Sequence, residues 1–450
     1  MKKSILLAIA LIATLVAVPA FASVQNVKIG GDVTSTFVHR NYFDLNASTV
    51  DQQNVFLTQT TLEANADLTD KVSATIALIN ERVWGDGSIS TTGTDMDLLR
   101  AYVTLRELLY SPLTVIIGRQ AFHYGNSFIF DTAGQNNAAP ADSGLLAVAG
   151  DLTKQTNMDA FRAILNYDPL TIEGFIALTH QHAVLINDAD DNQTIYGLVG
   201  TYKLGDKMDS LIEAYIFDRK DNSSNDTDAE LGNKVDHLKV VGGRFSTNPI
   251  EGLNVQGEVA HQGGVDAASP AAANNQRRDA WGMQGIVNYQ VPVLKEYKPM
   301  LQYVFTKVYG DTNTLTDQDQ ATWDAFYENQ GGGTIYNTLF SLSNAVIHTL
   351  SLSANPMEDL TTKLTVTKLY THQRVEPTSS FPLSQPDDTS GTTTNAHGGR
   401  YLGTEVDVDA SYAYTEDVKF GLSIGVYKPG SVFVDNQNAK QVLASVDVAF

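Results

Sequence analysis

From residue 23 onward the chain alternates apolar and polar positions with a period of two. Leu62, Ala64, Ala66 and Leu68 interleave with Glu63, Asn65 and Asp67; Leu253, Val255, Gly257 and Val259 with Asn254, Gln256 and Glu258; Val406, Val408, Ala410 and Tyr412 with Glu405, Asp407, Asp409 and Ser411. Successive side chains of a strand point to opposite faces, so each segment has one dry and one wet face. The pattern predicts eighteen strands, at 27–40, 55–69, 71–83, 96–107, 113–120, 156–167, 169–180, 194–203, 209–219, 235–247, 252–261, 279–291, 298–310, 346–355, 360–374, 401–414, 417–428 and 439–450.

The connections alternate in length. Short ones such as Thr69-Asp70-Lys71, Asp168-Pro169, Asn355-Pro356-Met357-Glu358-Asp359 and Thr415-Glu416-Asp417 carry turn residues. Nine long ones occupy about 41–54, 84–95, 121–155, 181–193, 220–234, 262–278, 311–345, 375–400 and 429–438. Both termini then fall on the short-turn side, the arrangement of an antiparallel up-and-down transmembrane β-barrel with short periplasmic turns and long extracellular loops. Lipid offers the backbone no hydrogen-bond partners, so strands cross it only as a closed sheet. In 281–289, Trp281, Met283, Gly285, Val287 and Tyr289 share a face, an apolar band with an aromatic near each end. Val442, Ala444, Val446, Val448 and the terminal Phe450 share another, the form of strand that outer-membrane assembly machinery recognises. A secreted sandwich gives no reason for long loops on one side, and a propeller or β-helix would show a fixed repeat.

Residues 1–22 read as a secretory signal peptide: Lys2 and Lys3, an apolar run from Ile5 to Val18, then Pro19 and Ala20-Phe21-Ala22. The run is shorter than the roughly 20 residues a membrane helix needs. The expected location is the bacterial outer membrane, with residues 23–450 forming the barrel in contact with lipid and lipopolysaccharide. The 450 residues include no cysteine, which removes thiolate metal sites, disulfides and cysteine nucleophiles. The net charge is −21, from 30 basic and 51 acidic side chains, and losing Lys2 and Lys3 makes it −23. That balance excludes a nucleic-acid partner, which calls for a basic surface. Much of the acidity falls on the long loops.

Strand phase assigns a lumen. Arg100, Arg106, Arg162 and Arg244 fall opposite outward neighbours such as Val103, Leu165 and Val241, and Asp32, Glu63, Glu258, Glu405, Asp407 and Asp409 are acids of the same interior. Arg119, where the fifth strand meets loop 121–155, either faces a constriction or pairs with a carboxylate of the wall. Mixed charge of this kind produces a transverse field or ion-pair network rather than a uniform path for a polyanion.

The chain resembles the alginate-export family of outer-membrane barrels. The resemblance is carried by Gly118-Arg119-Gln120 followed by Tyr124-Gly125, by the segment from Ala280 to Asp311, and by Tyr401-Leu402-Gly403-Thr404-Glu405-Val406-Asp407-Val408 running on to Pro429-Gly430. It implies an 18-stranded channel. It also implies a strongly electropositive lumen where the cargo is alginate, and the mixed lumen of this chain departs from that.

Other constellations carry less. Loop 121–155, poor in charge around Gly134-Gln135-Asn136-Asn137-Ala138-Ala139-Pro140, either folds in to narrow the lumen or lies on the surface. Trp323, Phe326 and Tyr327 near Gly331-Gly332-Gly333 either stack on sugar rings or pack loops together. Asp188-Ala189-Asp190-Asp191-Asn192 lacks the glycine and distal glutamate of a calcium loop, and His180 and His182 lack a third ligand, so no metal or cofactor is expected. His123, Asn126 and Ser127 cluster as a barrel hydrolase would have them, without a G-x-S-x-G or H-E-x-x-H motif. The reading is a non-enzymatic, porin-like channel passing hydrophilic solutes or oligo- and polysaccharides. A non-conducting receptor or structural barrel, and a barrel hydrolase, are the alternatives.

Overall fold

The computed structural model describes residues 26–46, 52–84, 96–133, 149–154, 157–180, 192–221, 236–266, 276–311, 319–377, 380–382, 393–395, 397–434 and 437–450. Eighteen of its strands form the barrel: β1 (Asn26–Asn41), β2 (Gln52–Thr69), β3 (Val72–Trp84), β4 (Asp97–Arg106), β5 (Leu113–Gln120), β6 (Met158–Asn166), β7 (Leu170–His180), β8 (Asn192–Lys203), β9 (Leu211–Asp221), β10 (Asp236–Ile250), β11 (Leu253–Asp266), β12 (Gln276–Gln290), β13 (Met300–Val308), β14 (Ala345–Met357), β15 (Leu360–Val375), β16 (Gly399–Ala413), β17 (Val418–Pro429) and β18 (Ala439–Ala449). Each pairs antiparallel with its sequence neighbour, and β1 pairs with β18 as well as β2, which closes the sheet. At the seam Gly31 and Phe450 exchange backbone hydrogen bonds, N–O 2.9 and 3.0 Å, so the last residue is part of the closure.

No helix among the described residues is long and apolar enough to cross a membrane, so crossing falls to the strands. Their phase matches the sequence reading: Val103, Phe161, Val241, Trp281, Val406 and Val408 are exposed on the outside, while Glu258, Glu405 and Asp407 are buried within.

Two long loops fold into the barrel. Residues 121–133 and 149–154 of loop L3 (121–157), and residues 319–344 of loop L7 (309–344), pack against inward-facing side chains of the wall. A buried aromatic cluster joins them: Phe122 lies 4.6 Å from Phe175 of β7, Phe130 5.3 Å from Phe217 of β9 and 5.6 Å from Phe326 of L7, and Phe128 stacks on Trp323 at 5.9 Å. The sequence reading left these loops without internal structure. Backbone groups withdrawn from water need partners, and L7 finds them in a two-residue strand, Asp319–Gln320, parallel to β12, and in a short helix, α1 (Ile335–Leu339). L3 and L7 also meet backbone to backbone, Asp131 N donating to Tyr327 O at 2.8 Å.

Candidate conducting lumen

The arginine side of the lumen lies along β1 to β12, and its guanidinium groups are neutralised by carboxylates. Arg100 on β4 reaches across Ala77 to Glu63 on β2 (Nη2–Oε2 2.6 Å). Arg162 on β6 donates to Glu173 on β7 (Nη2–Oε2 2.8 Å), and the same carboxylate accepts the hydroxyl of Tyr124 from L3. Burial together with that carboxylate pushes the Tyr124 phenol far above its ordinary range, so it stays a donor. Arg244 on β10 sits in register between Glu213 and Glu258, with Nε 3.6 Å from Glu213 and Nη1 donating to Gln256 at 3.0 Å. Glu258 accepts the Tyr215 hydroxyl at 2.7 Å.

Gly125 of L3 lies over this row with φ +57; a Cβ there would stand 3.2 Å from Arg244 Cδ and 3.3 Å from Glu213 Oε1. Glycine meets both demands, the left-handed backbone and the close approach. Thus Tyr124-Gly125, part of the resemblance noted in the sequence, docks L3 on the wall.

Three more arginines outside the sequence-derived set complete the network. Arg219 pairs with Asp324 of L7 (Nη2–Oδ2 2.6 Å), Arg278 with Asp236 (2.8 Å), and Arg40 with Asp151 of L3 (2.7 Å). Arg219 was within reach of the phase argument, since Ile212 and Ile216, seven and three positions before it, face outward on the opposite phase. Asp151 and Asp324 were not, because loops have no period to read.

Arg119 faces outward, not into the lumen. It stands beside Asp159 (Nη1–Oδ2 3.9 Å), which alternates with the inward Met158 and Ala160, so Arg119 belongs to the outer rim. Arg106 keeps the lumenal phase but is exposed at the β4–β5 turn. Asp32 holds Lys154 of L3 at 3.1 Å.

The acidic side lies on β16. Glu405, fully buried, accepts the amides of Ile335 and Tyr336 at 2.8 and 2.6 Å and so fixes the start of α1. Asp407 and Asp409 face a cavity of about 790 Å³ between L7 and the β12 to β17 wall. Its lining mixes hydroxyl and amide groups, including Gln302, Thr306, Thr349, Thr365 and Ser423, with apolar side chains such as Ile286, Val304, Ile347 and Leu443. On β15 it extends from Lys363 to Thr371, eight positions, or roughly 26 Å at ~3.3 Å per residue. With the strands tilted by ~40°, that spans about 20 Å of the ~25 Å apolar band of an outer-membrane barrel.

Trp323 is buried and Phe326 with it, so these aromatics pack the loops rather than offering faces to a sugar. In the His123 cluster, Asp131 Oδ2 accepts Ser127 Oγ at 2.5 Å and lies 2.7 Å from His123 Nδ1. A hydrolytic relay places the base between nucleophile and carboxylate; here the carboxylate is in the middle, and the cluster braces the turn of L3. No group of three or more candidate metal ligands occurs among the described residues. The side chains of His180 and Asn192, and all of His182 and residues 188–191, lie outside the described residues.

With this geometry the comparisons with known proteins agree. The alginate export family model matches residues 25–446. The chain belongs to the alginate export family. No curated protein sequence matches it. Among solved structures it is similar to Pseudomonas aeruginosa OccK2 (OpdF), with 11% identity, a TM-score of 0.57, and 95% of this chain and 98% of that one covered. It is similar also to Pseudomonas aeruginosa OpdK solved with vanillate, at 9% identity and a TM-score of 0.58, covering 95% and 100%. A third is OccK2 in complex with glucuronate, at 11% identity and a TM-score of 0.56, covering 95% and 97%. These likenesses show the shared fold, the closed 18-stranded barrel, and the family places this alginate-export barrel in the outer membrane with a porin-like architecture.

Proposed function

We propose that this protein is a passive outer-membrane channel for small hydrophilic solutes, saccharides among them, rather than a dedicated conduit for a polyanion. The carrying observation is the cavity along the β12 to β17 wall, where a row of hydroxyl and amide groups runs beside apolar side chains over most of the depth of the apolar band. Polar groups exchange hydrogen bonds with a passing solute without holding it tightly, which is what conduction requires. L3 and L7 restrict the path, because their aromatic cluster occupies the β6 to β12 half of the interior. An electropositive path for a polymer is disfavoured by the lumenal arginines being held by Glu63, Glu173, Glu213, Asp151, Asp236 and Asp324. OpdK and OccK2, crystallised with vanillate and glucuronate, pair the same fold with small carboxylates, and the cavity here is lined by Glu328, Asp407 and Asp409.

Export by the N-terminal leader and assembly through the Phe450 strand, with lipopolysaccharide around the outer rim, belong to the same reading. Swelling of liposomes containing the purified barrel, measured with neutral sugars of increasing size, tests it. Entry of monosaccharides with a sharp fall for longer oligomers supports it; equal entry of long polymers, or no entry of any sugar, overturns it.

A further inference from the structure

Near its extracellular edge the outer face of the barrel is uneven in charge. On the β9 to β12 side the outward bases meet carboxylates of the same face. Lys239 is opposite Asp218 in register, Asp218 also holds His237, and Asp279 lies 2.8 Å from His261 and 3.9 Å from Arg277. On the β15 to β18 side the bases have no such partners. The outward phase there is that of Leu364, Val406, Ile424 and Val446, all exposed. Within residues 360–370, 404–413, 418–428 and 439–449 that phase includes three lysines, Lys368, Lys428 and Lys440, and no acid. All three are exposed, and none has an ion pair among the described residues.

Strand register draws them together. Lys368 and Lys428 both lie opposite Thr404, one on each side, so two strand spacings, roughly 10 Å, separate them. Lys440 is opposite Val426, two positions from Lys428, which makes it a diagonal neighbour at about 7–8 Å. Between the lysines the hydroxyls of Thr404 and Tyr401 are hydrogen-bonded at 2.7 Å, and Tyr401 packs on Tyr370 at 5.3 Å. Lys428 precedes the last residue of β17 and Lys440 follows the first of β18, while the next outward positions below, Val366, Val406 and Val426, are apolar. The ammonium groups therefore stand at the upper boundary of the apolar band, where their flexible stems carry the charge into the headgroup layer. Like charges this close repel one another, and only an anion from outside the chain offsets that repulsion.

We propose that Lys368, Lys428 and Lys440, with the Thr404 and Tyr401 hydroxyls between them, form a docking site for a phosphate group of lipopolysaccharide on this one side of the barrel. Lysine binds phosphate as a point charge, and the hydroxyls add neutral donors to the same group. The acyl chains of that lipid then lie on the apolar strip below, formed by Val366, Val406 and Val426. The site names a fixed position for the lipid that surrounds the rim; it rests on the outer-membrane reading and is independent of conduction.

Native mass spectrometry of the purified full-length barrel, titrated with rough lipopolysaccharide at about 0.15 M salt, tests the site. One lipid should be retained per barrel at low concentration. The half-saturating concentration should rise about tenfold or more when the phosphates of the lipid are removed enzymatically, and again about tenfold or more for intact lipid in the Lys368→Gln/Lys428→Gln/Lys440→Gln variant. Heat-modifiable gel migration checks that the variant is folded. Lys239→Gln/Arg277→Gln, on the self-neutralised side, should leave the affinity unchanged. Equal retention of the phosphate-free lipid by the wild type, or equal loss in the two variants, overturns the site. Displacement of the lipid by millimolar inorganic phosphate overturns it too, by assigning the lysines to a free anion. Any of these results in a barrel that still inserts into bilayers leaves the outer-membrane reading standing, whereas a folded barrel that inserts into no bilayer removes both.

Discussion

Arg40 and Asp151 are joined by two hydrogen bonds, Nη1–Oδ1 3.0 Å and Nη2–Oδ2 2.7 Å, with side chains only 2% and 4% exposed. The pair connects the first strand to the far end of L3, and Arg40 Nε also donates to Gln441 at 2.8 Å. The other end of L3 is held by Tyr124 on Glu173, so the loop is tied to walls on both sides of the lumen. Removing one partner of a buried ion pair leaves an uncompensated charge, at a cost of ~3–5 kcal/mol. Asp151→Ala should therefore detach the 149–154 segment while the barrel persists. Single-channel recording should show larger and noisier conductance than wild type; an unchanged trace would mean that L3 does not restrict the path.

Trp323 is the largest side chain fully enclosed by the inserted loops, stacked on Phe128. Truncating a buried aromatic costs about 3–5 kcal/mol. Trp323→Ala should loosen L7 from L3 without opening the strand ladder, because Trp323 belongs to L7 and to no barrel strand. Proteolysis of L7 in the folded barrel should accelerate well before heat-modifiable migration is lost. Simultaneous loss of both would show that L7 is integral to barrel stability.

A pH dependence follows from Glu328 of L7, at the cavity. Burial pushes its carboxyl up to about 7, against the pull of the Gln330 amide, which donates to Oε2 at 3.0 Å. A raised carboxyl pKa keeps the group neutral below that value and charges it above. Cation preference, read as the reversal potential in a salt gradient, should thus rise as pH increases from about 6 to 8. Glu328→Gln should flatten this rise, and a rise of the same size in the variant would assign it elsewhere.

The outer face makes a further prediction. Val408 is exposed to lipid between the lumenal Asp407 and Asp409. An arginine near the midplane of such a barrel costs about 2–4 kcal/mol. Val408→Arg should shift the urea midpoint of folding into lipid vesicles downward, whereas Asp409→Asn, one residue away on the other face, should not. Equal shifts would contradict the assigned phase.

The barrel was legible in the sequence because a strand with one lipid face and one wet face writes its orientation every second residue. Val406 and Val408 against Glu405, Asp407 and Asp409 gave both the strand and its inside. Arg119 was read from its place beside L3 as facing a constriction or pairing with a carboxylate of the wall; the second holds, with Asp159 3.9 Å away on the outward face, and the phase of Ile117 two positions earlier already pointed outward. The inserted loops were illegible. Asp151, Asp324 and Trp323 obtain their roles from walls more than a hundred positions away in some cases, as with Arg40 and Asp151, or Arg219 and Asp324. No local pattern records such partners. The neutralisation of the arginines was hidden likewise: phase could place Arg162 and Glu173 in one lumen, but only the fold shows that they meet.

The central claim is that the lumen conducts. Purified, heat-modifiable barrel added to a planar lipid bilayer in potassium chloride measures it directly. Discrete upward current steps are expected, with a reversal potential displaced toward the potassium equilibrium value in a salt gradient. A folded barrel that inserts without steps, or steps displaced strongly toward the chloride value, would contradict it.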